Sequence, residues 1–175
     1  MLLFAAVAVA GLVLWPSGDD DPAPPKVTGV RLVSIPPLGL AFAHPTSWTR
    51  TVRGRAISLR SRDRSMQMIF SSPLNKKAPK AAKAATKRAL TERFAPAKVV
   101  RDGPGNLGSR QVPTFELVGR DGKSAVRALV LVDASAYRTY VVTVLSGERP
   151  SARGLREATQ ILESVRLSKP LPSKR

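Results

Sequence analysis

The chain has 175 residues, no cysteine and a formal net charge of +17. A disulfide framework, a thiol nucleophile and a cysteine-ligated metal centre are excluded at once. With 43% hydrophobic residues the chain can fill a core, so wholesale disorder is excluded as well.

Leu2 to Trp15 is an uncharged apolar run, and Pro16-Ser17-Gly18-Asp19-Asp20-Asp21-Pro22-Ala23-Pro24-Pro25 follows it directly. As a helix rising about 1.5 Å per residue the run spans roughly 21 Å, short of a hydrocarbon core of about 30 Å. The length suits the apolar stretch of an export signal, yet no basic residue precedes it. Cleavage after Ala8 or Ala10 would leave too little apolar chain to work. The pattern therefore predicts an uncleaved, helical signal-anchor or transmembrane segment over residues 1–15 and a Pro/Asp-rich linker over 16–27. A globular domain follows over 28–167, with a flexible basic tail over 168–175. This places the domain on the extracytoplasmic side, at the cell surface or in a periplasm.

Charge is uneven along the domain. Between Arg50 and Arg101 there are 15 basic residues and two acidic ones, Asp63 and Glu92, so this stretch carries +13 of the +17. Such a field attracts anionic lipid, acidic wall polymers or acidic proteins. Nucleic acid is not expected as a partner, because no recognition module accompanies the charge.

Gly39 to His44 alternates and breaks at Pro45, giving a short strand with Leu40 and Phe42 on one face. Trp48 to Val52 is expected to pair back as a second short strand. Ala56 to Ser61 directs Ile57 and Leu59 inward, and Ser65 to Ser71 does the same with Met66, Met68 and Phe70. Arg62-Asp63-Arg64 between them reads as a hairpin turn. Asn75 is a candidate helix cap, with Pro79 in the first turn and Pro96 as the stop. Ala78, Ala81, Ala82, Ala85 and Ala89 form the expected inward stripe of that helix. Its other side carries Lys76, Lys80, Lys83 and Lys87.

Lys98 to Arg101 reads as a strand and Gly103 to Gly108 as a loop. Gln111 to Val118 is a strand with Val112, Thr114, Glu116 and Val118 on one face and Phe115 and Leu117 on the other. Asp121-Gly122 is the clearest hairpin turn in the chain. Ala125 to Val132 and Tyr137 to Leu145 are the most apolar strands and are expected at the centre. Ser151 caps a last helix in which Leu155, Ala158, Leu162 and Val165 recur at helical spacing. The order predicts an α+β fold, a mainly antiparallel sheet with helices packed on its faces.

The order of elements resembles that of the PsbP-like superfamily, including bacterial LpqN-type lipoproteins. The resemblance rests on Leu40-Ala41-Phe42-Ala43-His44-Pro45-Thr46-Ser47-Trp48, on the strand pair from Ala125 to Leu145, and on the closing Ile161-Leu162-Glu163-Ser164-Val165-Arg166-Leu167. His44 stands where the family often has tyrosine, and no cysteine is present to carry a lipid. The resemblance implies an αβα sandwich and a non-enzymatic accessory, adaptor or assembly role at membranes. Separately from it, Pro45 must end its strand, and Trp48 can fold back over the sheet as a core residue.

Catalytic signals are weak. His44 is the single histidine and sits at a proline bend, where a structural role is the expectation. No Gly-X-Ser-X-Gly elbow exists, and Gly103 to Gly108 is not a dinucleotide fingerprint. The only acidic cluster, Asp19 to Asp21, lies in the linker. No catalytic residue, cofactor site or metal site is assigned. Two functions are expected instead. One is a membrane-held module that binds or assembles with a protein partner. The other is an electrostatic binder of anionic lipid or wall polymer through Lys76, Lys77, Lys80, Lys83, Lys87 and Arg88.

Overall fold

The computed structural model describes residues 29–74, 78–134 and 138–168. The signal-anchor expected over 1–15, the linker over 16–27 and the tail beyond Ser168 lie outside them. Among the described residues no helix is long and apolar enough to cross a membrane.

In chain order the elements are β1 (Val30–Ile35), a short 3-10 turn (Pro36–Leu38), β2 (Leu40–Pro45), β3 (Thr49–Arg53), β4 (Ala56–Arg60), β5 (Met66–Leu74) and α1 (Pro79–Arg93). Then come β6 (Lys98–Leu107), β7 (Arg110–Asp121), β8 (Ser124–Ala134), β9 (Thr139–Gly147), α2 (Ala152–Ser164) and β10 (Arg166–Leu167). Seven strands form one antiparallel sheet in the order β3-β4-β5-β9-β8-β7-β6. A second sheet, β1-β2-β10, is also antiparallel. The α+β class and the hairpin-built sheet are as the sequence predicts.

Strand alternation sends side chains to both faces of the large sheet, and each face builds its own core. On one face Ile57, Leu59, Met66, Met68, Phe70, Leu131 and Val142 pack under β2 and α2. Phe42 of β2 stacks on Phe70 of β5 with ring centroids 4.5 Å apart. Both rings are fully buried, and each such side chain contributes about 1.5–3 kcal/mol by leaving water. On the opposite face Phe115, Leu117, Ala128, Val130 and Val132 pack under α1 and Phe94. The fold is thus three-layered.

Hydrogen bonds pin the helices at specific places. Ser151 caps α2 by accepting the Gly154 N–H at 2.9 Å. Past the end of α1, the Phe94 carbonyl accepts the Arg120 N–H at 2.9 Å. Gly119 permits that approach, since a Cβ there would collide with the same carbonyl. The Asp121-Gly122 hairpin forms as expected, with Gly122 in the left-handed region at φ +61°.

Several expectations are corrected. β3 pairs with β4, not back onto Gly39–His44, because β2 is taken up by β1 and β10. Gly103 to Leu107 is strand, not loop: β6 is an edge strand, where Pro104 needs no outward donor, and it pairs with Pro113. The last helix stops at Ser164, and Val165 turns the chain into β10. Asn75 lies outside the described residues, and α1 begins after Ala78, whose N–H donates to Thr139 Oγ1 at 2.9 Å.

The inward stripe of α1 is also different. It runs through Ala82, Thr86 and Leu90 to Phe94, while Ala81, Ala85 and Ala89 face solvent. Leu90 and Phe94 have far more apolar area to bury than any alanine, and they set the rotation of the helix.

Candidate functional site

The motif His44, Pro45 and Trp48 is buried, and through Trp48 it ties the turn after β2 to α2. β2 ends at Pro45, whose carbonyl accepts the Trp48 N–H at 3.0 Å and closes a tight turn. Trp48 is 3% exposed and lies in the core. Its Nε1–H donates to Glu157 Oε2 at 2.6 Å, and Arg153 Nε donates to the other carboxylate oxygen at 2.8 Å. His44 is buried, and its Nδ1 donates to the Pro45 carbonyl at 2.8 Å. That bond leaves Nε2 as the unprotonated nitrogen, and it has no hydrogen-bond partner among the described residues. Burial lowers the His44 pKa from 6.5, and the charges of Arg50 and Arg31 lower it further.

Of the expected lysine face, Lys76 and Lys77 lie outside the described residues. Lys80, Lys83 and Lys87 share one flank of α1, and Arg88 projects outward. Lys83 Nζ bonds Asp102 Oδ1 on β6, and Lys87 Nζ reaches Asp102 Oδ2 at 3.2 Å. These bonds, Lys83 first, hold the Asp102 carboxyl below its ordinary pKa. Arg88 pairs with Glu92 one turn on, at 2.8 Å. One carboxylate therefore draws two of the lysines inward, and the flank is less basic than its sequence.

The larger unoccupied surface is elsewhere. α1 rests on β7, β8 and β9, so no other described element covers the outer face of β3, β4 and β5. That face forms a shallow groove of about 420 Å³. Its floor is Thr49, Thr51 and Arg53 of β3, Ala56, Ser58 and Arg60 of β4, and Gln67 and Ile69 of β5. Gln67 Nε2 donates to Ser58 Oγ at 2.8 Å, which holds the middle of the floor in place. Two of the six arginines between Arg50 and Arg64, Arg53 and Arg60, line the groove, and the one carboxylate in that stretch is Asp63.

Asp63 is already engaged. It accepts from Ser61 Oγ at 2.6 Å, from Ser65 N–H at 3.0 Å and from Ser151 Oγ at 2.5 Å. The Ser151 hydroxyl, then that of Ser61, hold its carboxyl well below the usual carboxylate range. The β4–β5 turn is thereby locked to the cap of α2. Sequence reasoning pooled these arginines with the lysines of α1. The alternation of Ser58 and Arg60 with Ile57 and Leu59 was the signal that one face of the hairpin is polar and basic.

Elsewhere, buried carboxylates serve the sheet. Glu116 meets Arg127 at 3.1 Å and Asp133 meets Arg110 at 3.0 Å, and burial pushes both carboxyl pKa values up. Among the described residues no group of three histidine, aspartate or glutamate side chains is arranged to hold a metal.

Neither a protein-family model nor a curated protein matches the chain. Solved structures do. The cyanobacterial PsbP (CyanoP) of Synechocystis aligns over 86% of this chain and 100% of its own, with TM-score 0.58 and 14% identity. The Ran-binding protein Mog1p of Saccharomyces cerevisiae aligns over 79% and 95%, with TM-score 0.55 and 10% identity. A protein of Bacteroides thetaiotaomicron aligns over 79% of this chain at TM-score 0.54 and 13% identity, and there the match spans only 48% of the other chain. The layers, the hairpin order and these likenesses agree, and the chain has a PsbP-like fold.

Proposed function

We propose that this chain is a non-enzymatic binding or assembly module, held at a membrane by its N-terminal segment with the domain on the extracytoplasmic side. The observation that carries the reading is the open outer face of β3, β4 and β5, which carries Arg53 and Arg60 and is covered by no other described element. A shallow polar floor of threonine, serine and glutamine suits a macromolecular surface better than an enclosed small ligand. One chain of this fold is a Ran-binding protein, so the fold can serve protein recognition. The apolar run Leu2 to Trp15 and the linker after it support the tether. The LpqN-type resemblance of the Leu40 to Trp48 stretch belongs to the same proposal.

The test is photo-crosslinking in cells that express the full chain, with the crosslinker at Ser58 in the groove. Expected are recovery in the membrane fraction, exposure of the domain to protease added outside, and one reproducible crosslinked protein. A freely soluble chain would overturn the tether. The absence of any reproducible partner, from Ser58 or from positions spread over the rest of the surface, would overturn the binding module.

A second reading is an electrostatic binder of anionic lipid or wall polymer. It is favoured by the convergence of Lys80, Lys83 and Lys87 on one flank of α1. It requires binding to anionic vesicles that falls steeply with salt and is lost when these lysines become glutamine.

A further inference from the structure

We infer that the partner docks on the free edge of β3, as an extended acidic polypeptide segment that joins the large sheet as an eighth strand. This rests on the binding-module reading and names the chemistry of the partner.

β3 ends the sheet and pairs with β4 alone. All five of its residues are exposed, so its outer edge offers a row of backbone donors and acceptors to another chain. The two edges of the sheet are guarded differently. β6 carries Pro104 and a register shift between Val99 and Arg101, both of which discourage an added strand. β3 has neither: its register with β4 runs unbroken from Thr49 opposite Arg60 to Arg53 opposite Ala56. Its guards are its short length and the charges of Arg50 and Arg53.

That guard is selective. It repels a second copy of β3 and attracts a strand bearing carboxylates, because cross-strand neighbours favour opposite charge. Arg50 and Val52 lie opposite the buried Leu59 and Ile57, on the core side of the sheet, while Thr49, Thr51 and Arg53 face the groove. Val52 is 56% exposed at the rim. An added strand would cover Val52 with an apolar side chain and meet Arg50 and Arg53 with carboxylates on its two faces. Guanidinium groups suit this, since their planar forks take a carboxylate in bidentate fashion.

The ladder of backbone groups selects a polypeptide over a lipid or a polysaccharide. The chain's own Asp19-Asp20-Asp21 is acidic but stands among Pro16, Pro22, Pro24 and Pro25, which cannot donate to a ladder.

The experiment uses the full chain in detergent micelles and a fluorescent peptide of about eight residues, two repeats of Val-Val-Glu-Glu, which is near the usual strand length and sets both valine and glutamate on each face. Its companion has the same charge but N-methyl groups on alternate amides. Expected are binding of the first peptide, slowed amide exchange over Thr49 to Arg53, and affinity lower by about tenfold in the R50Q/R53Q variant. The methylated peptide should bind at least about tenfold more weakly, since it cannot complete the ladder. Equal binding of the methylated peptide would overturn the proposal, as would protection confined to α1. Protection of β3 without peptide would also overturn it, whether it grows with protein concentration (a second copy) or vanishes on D19N/D20N/D21N substitution (the chain's own linker). If the cellular crosslinks recover a partner on another surface, the edge proposal falls and the binding-module reading stands.

Discussion

Trp48 and Glu157, 109 residues apart in sequence, meet in the interior through a 2.6 Å hydrogen bond from the indole N–H to a carboxylate. The bond fastens the turn after β2 to α2, and Arg153 completes it from solvent. Trp48→Phe leaves the buried Glu157 Oε2 short of its donor. We expect a loss of about 2–3 kcal/mol in urea unfolding. Joining it with Glu157→Leu should recover part of that loss, because the orphaned acceptor is removed. If the double variant is no better than the sum of the singles, the pair is not coupled.

His44 makes stability pH-dependent. The fold holds the neutral ring, so its contribution is full above pH 6.5 and declines as pH falls toward the lowered folded pKa. Below that value it levels off. Within the window the slope approaches at most about 1.4 kcal/mol per pH unit for one proton. Unfolding free energies of wild type and His44→Phe, measured from pH 7.5 downward, should diverge with that sign. Parallel curves would contradict it.

Asp63 and Ser151 act as a unit. Ser151→Ala removes both the cap of α2 and a tie to Asp63, and we expect a cost of about 1–2 kcal/mol. Asp63→Asn should weaken the same assembly, and the double substitution should cost less than the sum. Because Asp63 is held ionised, its contribution is present above the ordinary value of 3.8 and is lost as pH falls below it. The D63N variant should therefore show a shallower acid limb in a denaturation series. An acid limb unchanged by D63N would count against the assignment.

Asp102 offers a means of separating stability from surface charge. Its pairs with Lys83 and Lys87 are partly exposed, so Asp102→Asn should cost under about 1 kcal/mol. It also frees two ammonium groups on one flank of α1. If that flank is a binding surface for anionic lipid, vesicle sedimentation at low salt should rise in the D102N variant. No rise would remove the main support for the lipid reading.

The sequence made the interior of the large sheet legible because alternation there is enforced by burial. Met66, Met68 and Phe70, and Phe115 with Leu117, could face only inward. The small sheet was not legible. β1 has an exposed Val30 and Leu32, and β10 is two residues long, so neither carries a burial pattern of its own. β6 escaped because glycine and proline are ordinarily loop signals, yet an edge strand tolerates them. The rotation of α1 was not legible from its alanines, because Leu90 and Phe94 have more apolar area to bury and set it. The groove that carries Arg53 and Arg60 exists only through pairing: Thr51, Ser58 and Ile69 become neighbours in the ladder, not in the chain.

The strands nearest the two ends of the domain, β1 and β10, flank β2 in the same small sheet. Val30 pairs at the Pro45 end of β2 and Leu167 at the Leu40 end. The chain therefore enters and leaves through one layer, at points about 17 Å apart along a strand. The groove lies on the opposite side of the molecule. Both ends of the described domain therefore belong to the layer on the far side of the large sheet from Arg53 and Arg60, and the groove is left clear of the points where the chain enters and leaves.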